Sequence, residues 1–193
     1  DMALLIVGLT RPTLFERRSD IEPVGLPHRR IILRELDEGH SRELADELLK
    51  RLAEVPPPLA ELVARRAEGN PFYMEELVKM LIDRGAIAAA GSTWTLDPQR
   101  WLQTEIPATL VGVLQARLDS LPQRERQALQ GASVIGHVFW DQTLAALDAR
   151  APAALPALQR RELALPRNDA AAADDVREFA FSHKILHEVT YDT

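Results

Sequence analysis

The chain contains no cysteine, so it has neither a disulfide framework nor thiolate chemistry. That absence fits a reducing compartment, and a cytoplasmic location is the expectation. No apolar run approaches the roughly 18 residues of a membrane helix, so a soluble protein without a membrane partner is expected. Positive charge is in deficit. A formal net charge of −6 disfavours nonspecific nucleic-acid binding, which needs Lys and Arg to meet phosphates. The apolar start, residues 2–8, has no basic leader and no small-residue cleavage site. Missing as well is a GxxxxGK loop followed by Ser or Thr, and no hydrophobic run ending in paired carboxylates stands ahead of Ala3. Those parts would hold β- and γ-phosphates and magnesium, so this chain alone is expected not to hydrolyse a nucleoside triphosphate.

What is present is a chain of 193 residues, 46% apolar, enough for one large or two small domains with a packed core. Its most informative stretch is Gly69-Asn70-Pro71-Phe72-Tyr73-Met74-Glu75-Glu76-Leu77. Leu59, Leu62, Val63 and Ala67 recur before it at helical spacing. Gly69 stands where a helix ends, since glycine enters the left-handed region without steric cost. Asn70 suits an N-cap and Pro71 the first helical position, where a missing N–H is not needed. Glu75 and Glu76 near the helix start oppose its dipole favourably. The stretch therefore reads as a corner between two helices.

Along the chain, residues 3–8 form a short apolar run that fits a strand buried on both faces. Thr10, Arg11 and Pro12 follow its C-terminal end, the place where open α/β sheets bind ligands. Residues 15–27 are polar and turn-rich, with Arg17, Arg18 and Asp20. The segment 28–36 sets Ile31, Ile32 and Leu33 between charges and reads as a second strand, with His28, Arg29 and Arg30 as a small basic cluster that ordinarily faces water. Asp37 is placed to cap a helix carrying Leu44, Leu48 and Leu52, which Pro56-Pro57-Pro58 breaks. After the corner, Phe72, Leu77 and Leu81 mark one face of a helix ending near Gly85. Residues 86–90 and 93–96 flank Gly91-Ser92 as a hairpin, with Trp94 in a packing role. Helices are then predicted from Pro107 (Leu110, Leu114, Leu118), from Pro122 to near Gly136, over residues 141–148, and over residues 154–165. Residues 168–175 are polar and low in complexity. Residues 178–183 alternate, placing Phe179 and Phe181 on one face of a strand. Three helices and then two strands around a loose tip make a winged-helix outline.

Three blocks, GNPFYMEELVKMLIDRGAI, IPATLVGVLQARLDSLPQRERQALQGASVIGHVF and FSHKILHEVTYDT, resemble the signal-transduction ATPases with numerous domains (STAND). The nearest resemblance is to AAA-type modules attached to bacterial adenylate cyclases, protein kinases and LuxR/MalT-like regulators. It covers nearly the whole chain and implies a mainly α fold: two strands of a parallel nucleotide-binding sheet (residues 1–36), a helical lid with a small hairpin (37–104) and a winged-helix domain (105–193). The first half of such a module, with its Walker motifs, lies outside this sequence, so the chain is expected to be a piece of a longer protein. The resemblance implies that Thr10 and Arg11 approach the terminal phosphate as a sensor, that Gly69, Asn70 and Pro71 face the base, and that His183 meets the β-phosphate. It implies ATP and ADP with magnesium as cofactors of the intact parent, tight binding to this piece alone not being expected. The implied partners are the Walker-bearing half and an effector domain such as a cyclase, kinase or DNA-binding domain. The implied mechanism is a switch in which ADP bridges sheet, lid and winged helix, and ATP releases the lid.

Each of these residues also has a purely structural reading. Arg11 is equally a solvated loop residue, and His183 a helix-capping one. His187 lies four residues beyond His183, but a His-x3-His pair without further ligands is weak evidence for a metal, and none is expected. Direct DNA reading is disfavoured: residues 141–148 carry no Lys or Arg, and the loose tip carries Asp169, Asp174 and Asp175. The competing reading is a helical protein-interaction module with no nucleotide role, and self-association through the exposed strand edge of residues 3–8 is a further expectation.

Overall fold

The computed structural model describes residues 4–18, 28–89, 91–167 and 176–193. Expectations resting on Met2, Ala3, Asp20, Asp169, Asp174 and Asp175, and the tip 168–175 as a whole, lie outside the described residues. The chain divides into two compact units, Asp1–Arg34 and Glu35–Thr193. It is mainly helical, with two small sheets.

The first unit departs from expectation. Among its described residues the one regular element is helix α1 (Thr13–Arg17), which opens with Leu14 N–H donating to the Arg11 carbonyl at 3.0 Å. Neither residues 4–8 nor residues 28–34 form a strand ladder. Leu4, Leu5, Ile6, Val7, Ile31, Ile32 and Leu33 are all largely exposed. The physical reason is that a buried parallel strand exists only through hydrogen bonds to its neighbours, and these segments have no such neighbour among the described residues. Within the unit, the Arg30 guanidinium lies 4.1 Å from the Phe15 ring centroid.

The second unit begins with helix α2 (Glu38–Leu49), whose N-cap Asp37 accepts from the His40 N–H at 2.9 Å. Helix α3 (Pro57–Arg66) starts on the triple proline, and α4 (Pro71–Asp83) starts on the corner. The hairpin pairs β1 (Ile87–Ala88) with β2 (Thr95–Leu96) in antiparallel register. Helix α5 (Pro98–Gln103) was not expected, although Asp97-Pro98 repeats the cap-then-proline pattern of Asn70-Pro71: the Asp97 carboxylate accepts from the Gln99 and Arg100 amides. Helix α6 (Leu110–Asp119) starts three residues after Pro107, because Thr109 caps it through the Gly112 N–H at 3.1 Å.

Helix α7 (Gln123–Ile135) ends at Gly136. Strand β3 (Val138–Trp140), helix α8 (Asp141–Leu147), a 3₁₀ turn (Ala151–Ala154) and helix α9 (Leu155–Arg160) follow. The expected single helix over 154–165 stops at Arg160. The Leu163 amide reaches back to the Leu158 carbonyl at 3.0 Å across Glu162, whose φ is +56°, and β4 (Ala164–Pro166) takes over. Tertiary pairing overrides helix propensity there, because β4 hydrogen-bonds to β5 (Glu178–Phe181). Strand order is β3-β5-β4, all antiparallel, so Pro166 sits on an edge strand where a missing N–H is tolerated. Phe179 and Phe181 are buried as the alternation predicts, with Phe139 5.9 Å from each. Helix α10 (Lys184–Tyr191) closes the chain.

Two hydrophobic cores result, one among α2, α3, α4 and the hairpin, the other beneath the three-stranded sheet. They meet in α6. Val113 and Ala116 pack in the first core, Leu114 and Leu118 in the second. A helix apolar on both sides is buried on both sides, whereas the expected Leu110–Leu114–Leu118 stripe describes only one of its faces.

Between the cores lies an ionic network anchored on Arg117, which is 1% exposed. Its guanidinium pairs with Glu76, donates from Nε to Asp83 at 2.9 Å, and donates to the Arg161 carbonyl at 2.7 Å. Arg161 bridges Asp83 at 2.7 Å and Glu125 at 3.0 Å. Lys79 joins Glu76 at 3.1 Å to Glu162 at 2.8 Å. Burial opposes charge on Lys79, but hydrogen bonds to Glu162 and Glu76 outweigh it and raise its pKa. Removing one partner of a buried network strands the others, which costs on the order of 3–5 kcal/mol. Arg117→Ala is therefore expected to lower the urea midpoint sharply, while an Arg117→Met, Glu76→Gln, Asp83→Asn triple variant recovers much of that loss. Urea titrations followed by circular dichroism decide it.

Candidate functional site

The corner at residues 68–73 is built as expected. Glu68 and Gly69 both have positive φ, 48° and 79°. The Asn70 side chain accepts from the Tyr73 N–H at 3.3 Å, and Pro71 is the first residue of α4. The reason for glycine is internal to the chain. The Leu36 N–H donates to the Gly69 carbonyl at 2.8 Å, and a Cβ at Gly69 would lie 2.4 Å from the Leu36 carbonyl oxygen. Gly69 is buried, while Asn70 and Pro71 are exposed. Tyr73 fixes the far side of the corner, its hydroxyl donating to the Pro107 carbonyl at 3.2 Å.

Beside the corner is a cleft of about 220 Å³ whose lining includes Leu36, Ser41, Arg42, Arg65 and Gly69. Its two arginines are already paired, Arg42 with Glu38 at 3.3 Å and Arg65 with Glu61 at 2.9 Å.

His183 occupies the N-cap of α10 but caps nothing with its side chain. Its ring lies 3.9 Å, centroid to centroid, from the Phe72 ring, tilted by 48°. Phe72 directly follows Pro71. The fold thus brings His183 against the residue that follows Pro71, two features far apart in sequence. Sequence reasoning assigned Phe72 only to a helix face; no local signal reveals a contact made through tertiary folding. Thr10 and Arg11 belong to the first unit, where both are exposed and the Thr10 hydroxyl donates to the Arg11 carbonyl at 3.3 Å.

Several basic side chains lie near His137, on the strand side of His183. Half-buried His137 has its pKa lowered first by burial, then by the neighbouring basic side chains, Arg167 and Lys184 among them. The His187 ring is 6.0 Å from that of His137, edge-on to Phe181 at 5.1 Å, and hydrogen-bonded through Nε2 to the Ser133 carbonyl at 3.0 Å. Lys184 pairs with Glu188, and Arg167 with Glu178. Among the described residues no group of three or more His, Asp or Glu side chains gathers to hold a metal ion. None of the helices among the described residues is long and apolar enough to cross a membrane.

A family model described as a domain of unknown function, DUF8739, matches residues 37–93. The match starts at the N-cap of α2 and ends in the turn of the β1–β2 hairpin, so it brackets the corner. No curated protein matches the chain.

Two outcomes follow. Gly69→Ala forces a Cβ into the Leu36 backbone at positive φ, so a loss of at least about 1–3 kcal/mol is expected in thermal or urea unfolding. For His137, a folded pKa below the ordinary 6.5 means that the unfolded chain binds the proton more readily. Stability is therefore full above that value, declines as pH falls through it, and levels off below the lowered folded pKa. Urea midpoints measured between about pH 8 and pH 5 should show this decline, and His137→Gln should flatten it.

Proposed function

We propose that this chain is the regulatory lid and winged-helix portion of a STAND-type nucleotide switch, non-hydrolytic by itself. In this reading residues 37–104 are the lid, and the α7–β3–α8–α9–β4–β5 succession with strand order β3-β5-β4 is the winged helix. ADP bridges them in a closed state, with its base end at Gly69–Pro71 and its diphosphate at His183, and exchange for ATP releases the lid. Arg11, with Thr10 beside it, reads the γ-phosphate in the intact parent. Magnesium and the Walker motifs come from the parent's other half, and the effector is an attached cyclase, kinase or DNA-binding domain.

The observation that carries this reading is the apposition of His183 and the corner through Phe72, within one compact unit. Lys184, directly after His183 in the chain, supports it, since a diphosphate needs a cation at that end. The candidate third helix of the sequence reading, residues 141–148, is the second helix of this succession, and α9 stands third. Of its two C-terminal arginines, Arg161 is committed to Asp83 and Glu125, which leaves α9 poorly equipped to read DNA.

Titration of fluorescent ADP into the longest natural form of the protein tests the reading. Pro71→Ala and His183→Ala are each expected to weaken binding about 3- to 30-fold, the scale of one lost charged or positioning contact. Unchanged affinity in both variants would favour the helical interaction module instead.

A further inference from the structure

The geometry points to Phe72 as the positioning residue of this site: its ring sets where His183 stands relative to the Asn70–Pro71 corner. This rests on the nucleotide reading above and names a residue that the corner motif and the histidine do not themselves include.

Among the described residues, the His183 imidazole makes no hydrogen bond, and its ring contact is with Phe72 alone. His183 is exposed and its backbone extended, with φ −145° and ψ 149°, so neither burial nor a capping bond selects its rotamer. A half-buried aromatic face 3.9 Å away does select one. Aromatic contacts of this kind favour particular ring placements beyond simple burial. Both ring nitrogens of His183 are thereby left to a ligand.

Phe72 is itself held in place. It is the second residue of α4, behind Asn70's bond to the Tyr73 amide and beside Tyr73's bond to Pro107. Phe72 and Glu76 are four residues apart, hence on one helix face, and Glu76 is gripped by Arg117. Lys79 and Asp83 extend the same contacts to Glu162, Arg117 and Arg161. The N-terminal turn of α4 thus cannot slide without disturbing buried charge, and Phe72 presents a fixed surface to His183. A ligand that touches the corner at one end and a histidine at the other requires the separation between them to be fixed, because a misplaced group forfeits its contact.

The experiment is NMR of the 193-residue chain titrated with ADP, observing the His183 ring protons and the Asn70 and Tyr73 amides. In the wild type the His183 protons are expected to carry a ring-current shift from Phe72, and both His183 and the corner amides are expected to move on adding ADP. In Phe72→Leu the ring-current shift disappears, the corner amides still respond, the His183 response is lost, and affinity falls roughly 3- to 10-fold. Phe72→Tyr, which keeps the ring, restores all three. In a His183→Ala background Phe72→Leu should weaken ADP no further, because the two act through one contact. If His183 in Phe72→Leu responds to ADP as in the wild type, or if its wild-type protons show no ring-current shift, Phe72 does not position it, whatever the fate of the nucleotide reading. If millimolar ADP moves neither His183 nor the corner in the wild type, and fluorescent ADP does not bind the longest natural form either, the nucleotide reading itself fails, and this inference fails with it.

Discussion

The second unit depends on one buried cation. Arg117 is almost wholly withdrawn from water, and an unpaired guanidinium there would be prohibitively unstable. Its neutralisation comes from two carboxylates of α4, Glu76 and Asp83, and its third nitrogen donates to the Arg161 carbonyl beyond α9. The partners come from two segments besides its own helix, so satisfying one guanidinium fixes α4, α6 and the turn after α9 relative to one another. Hydrophobic packing alone leaves helix pairs free to slide by small amounts; a buried network of directed bonds does not. The contact between Phe72 and His183 lies along the same helix face and inherits this rigidity.

Why α6 should bear that cation follows from its position. It is the element shared by two cores, with Val113 and Ala116 turned to one and Leu114 and Leu118 to the other. A helix so placed has little solvent-facing surface, and a charged residue on it must find its counter-charges inside. Arg suits this role better than Lys, because its planar fork can serve three acceptors at once. Lys79, on the more open side of α4, meets the simpler demand of bridging Glu76 and Glu162.

The local grammar of the chain was largely legible. Asp37, Asn70 and Pro71 cap and start helices as their side chains require, Gly69 takes a positive φ in the turn after α3, and Phe179 and Phe181 alternate inward. What escaped was set by partners distant in sequence. β3 and β4 are three residues each, too short for a period to declare itself, and both exist because β5 pairs with them. The two expected strands of the first unit fail for the complementary reason. Their apolar residues have the right composition, but composition is not a hydrogen-bonding neighbour. Of the candidate site, Asn70, Pro71 and His183 were each visible as residues. The contact that joins them was not, because Phe72 is an ordinary helix-face residue until the tertiary fold sets a histidine on it.

Gly69 shows how a motif can hold two reasons at once. Its missing Cβ admits the Leu36 backbone, which fully accounts for glycine there without any ligand. The structural demand and the nucleotide reading are therefore compatible but separable, and the glycine cannot be used to argue for the ligand. Asn70 is similarly engaged in capping. Within the candidate site, His183 has no such task among the described residues: it is exposed, caps nothing, and lies against the Phe72 ring. An exposed side chain set against an aromatic ring and without a hydrogen bond among the described residues is a feature that packing and capping do not explain. A nucleotide role for this unit therefore stands or falls with His183 and the ring beside it, rather than with the corner from which the helix begins.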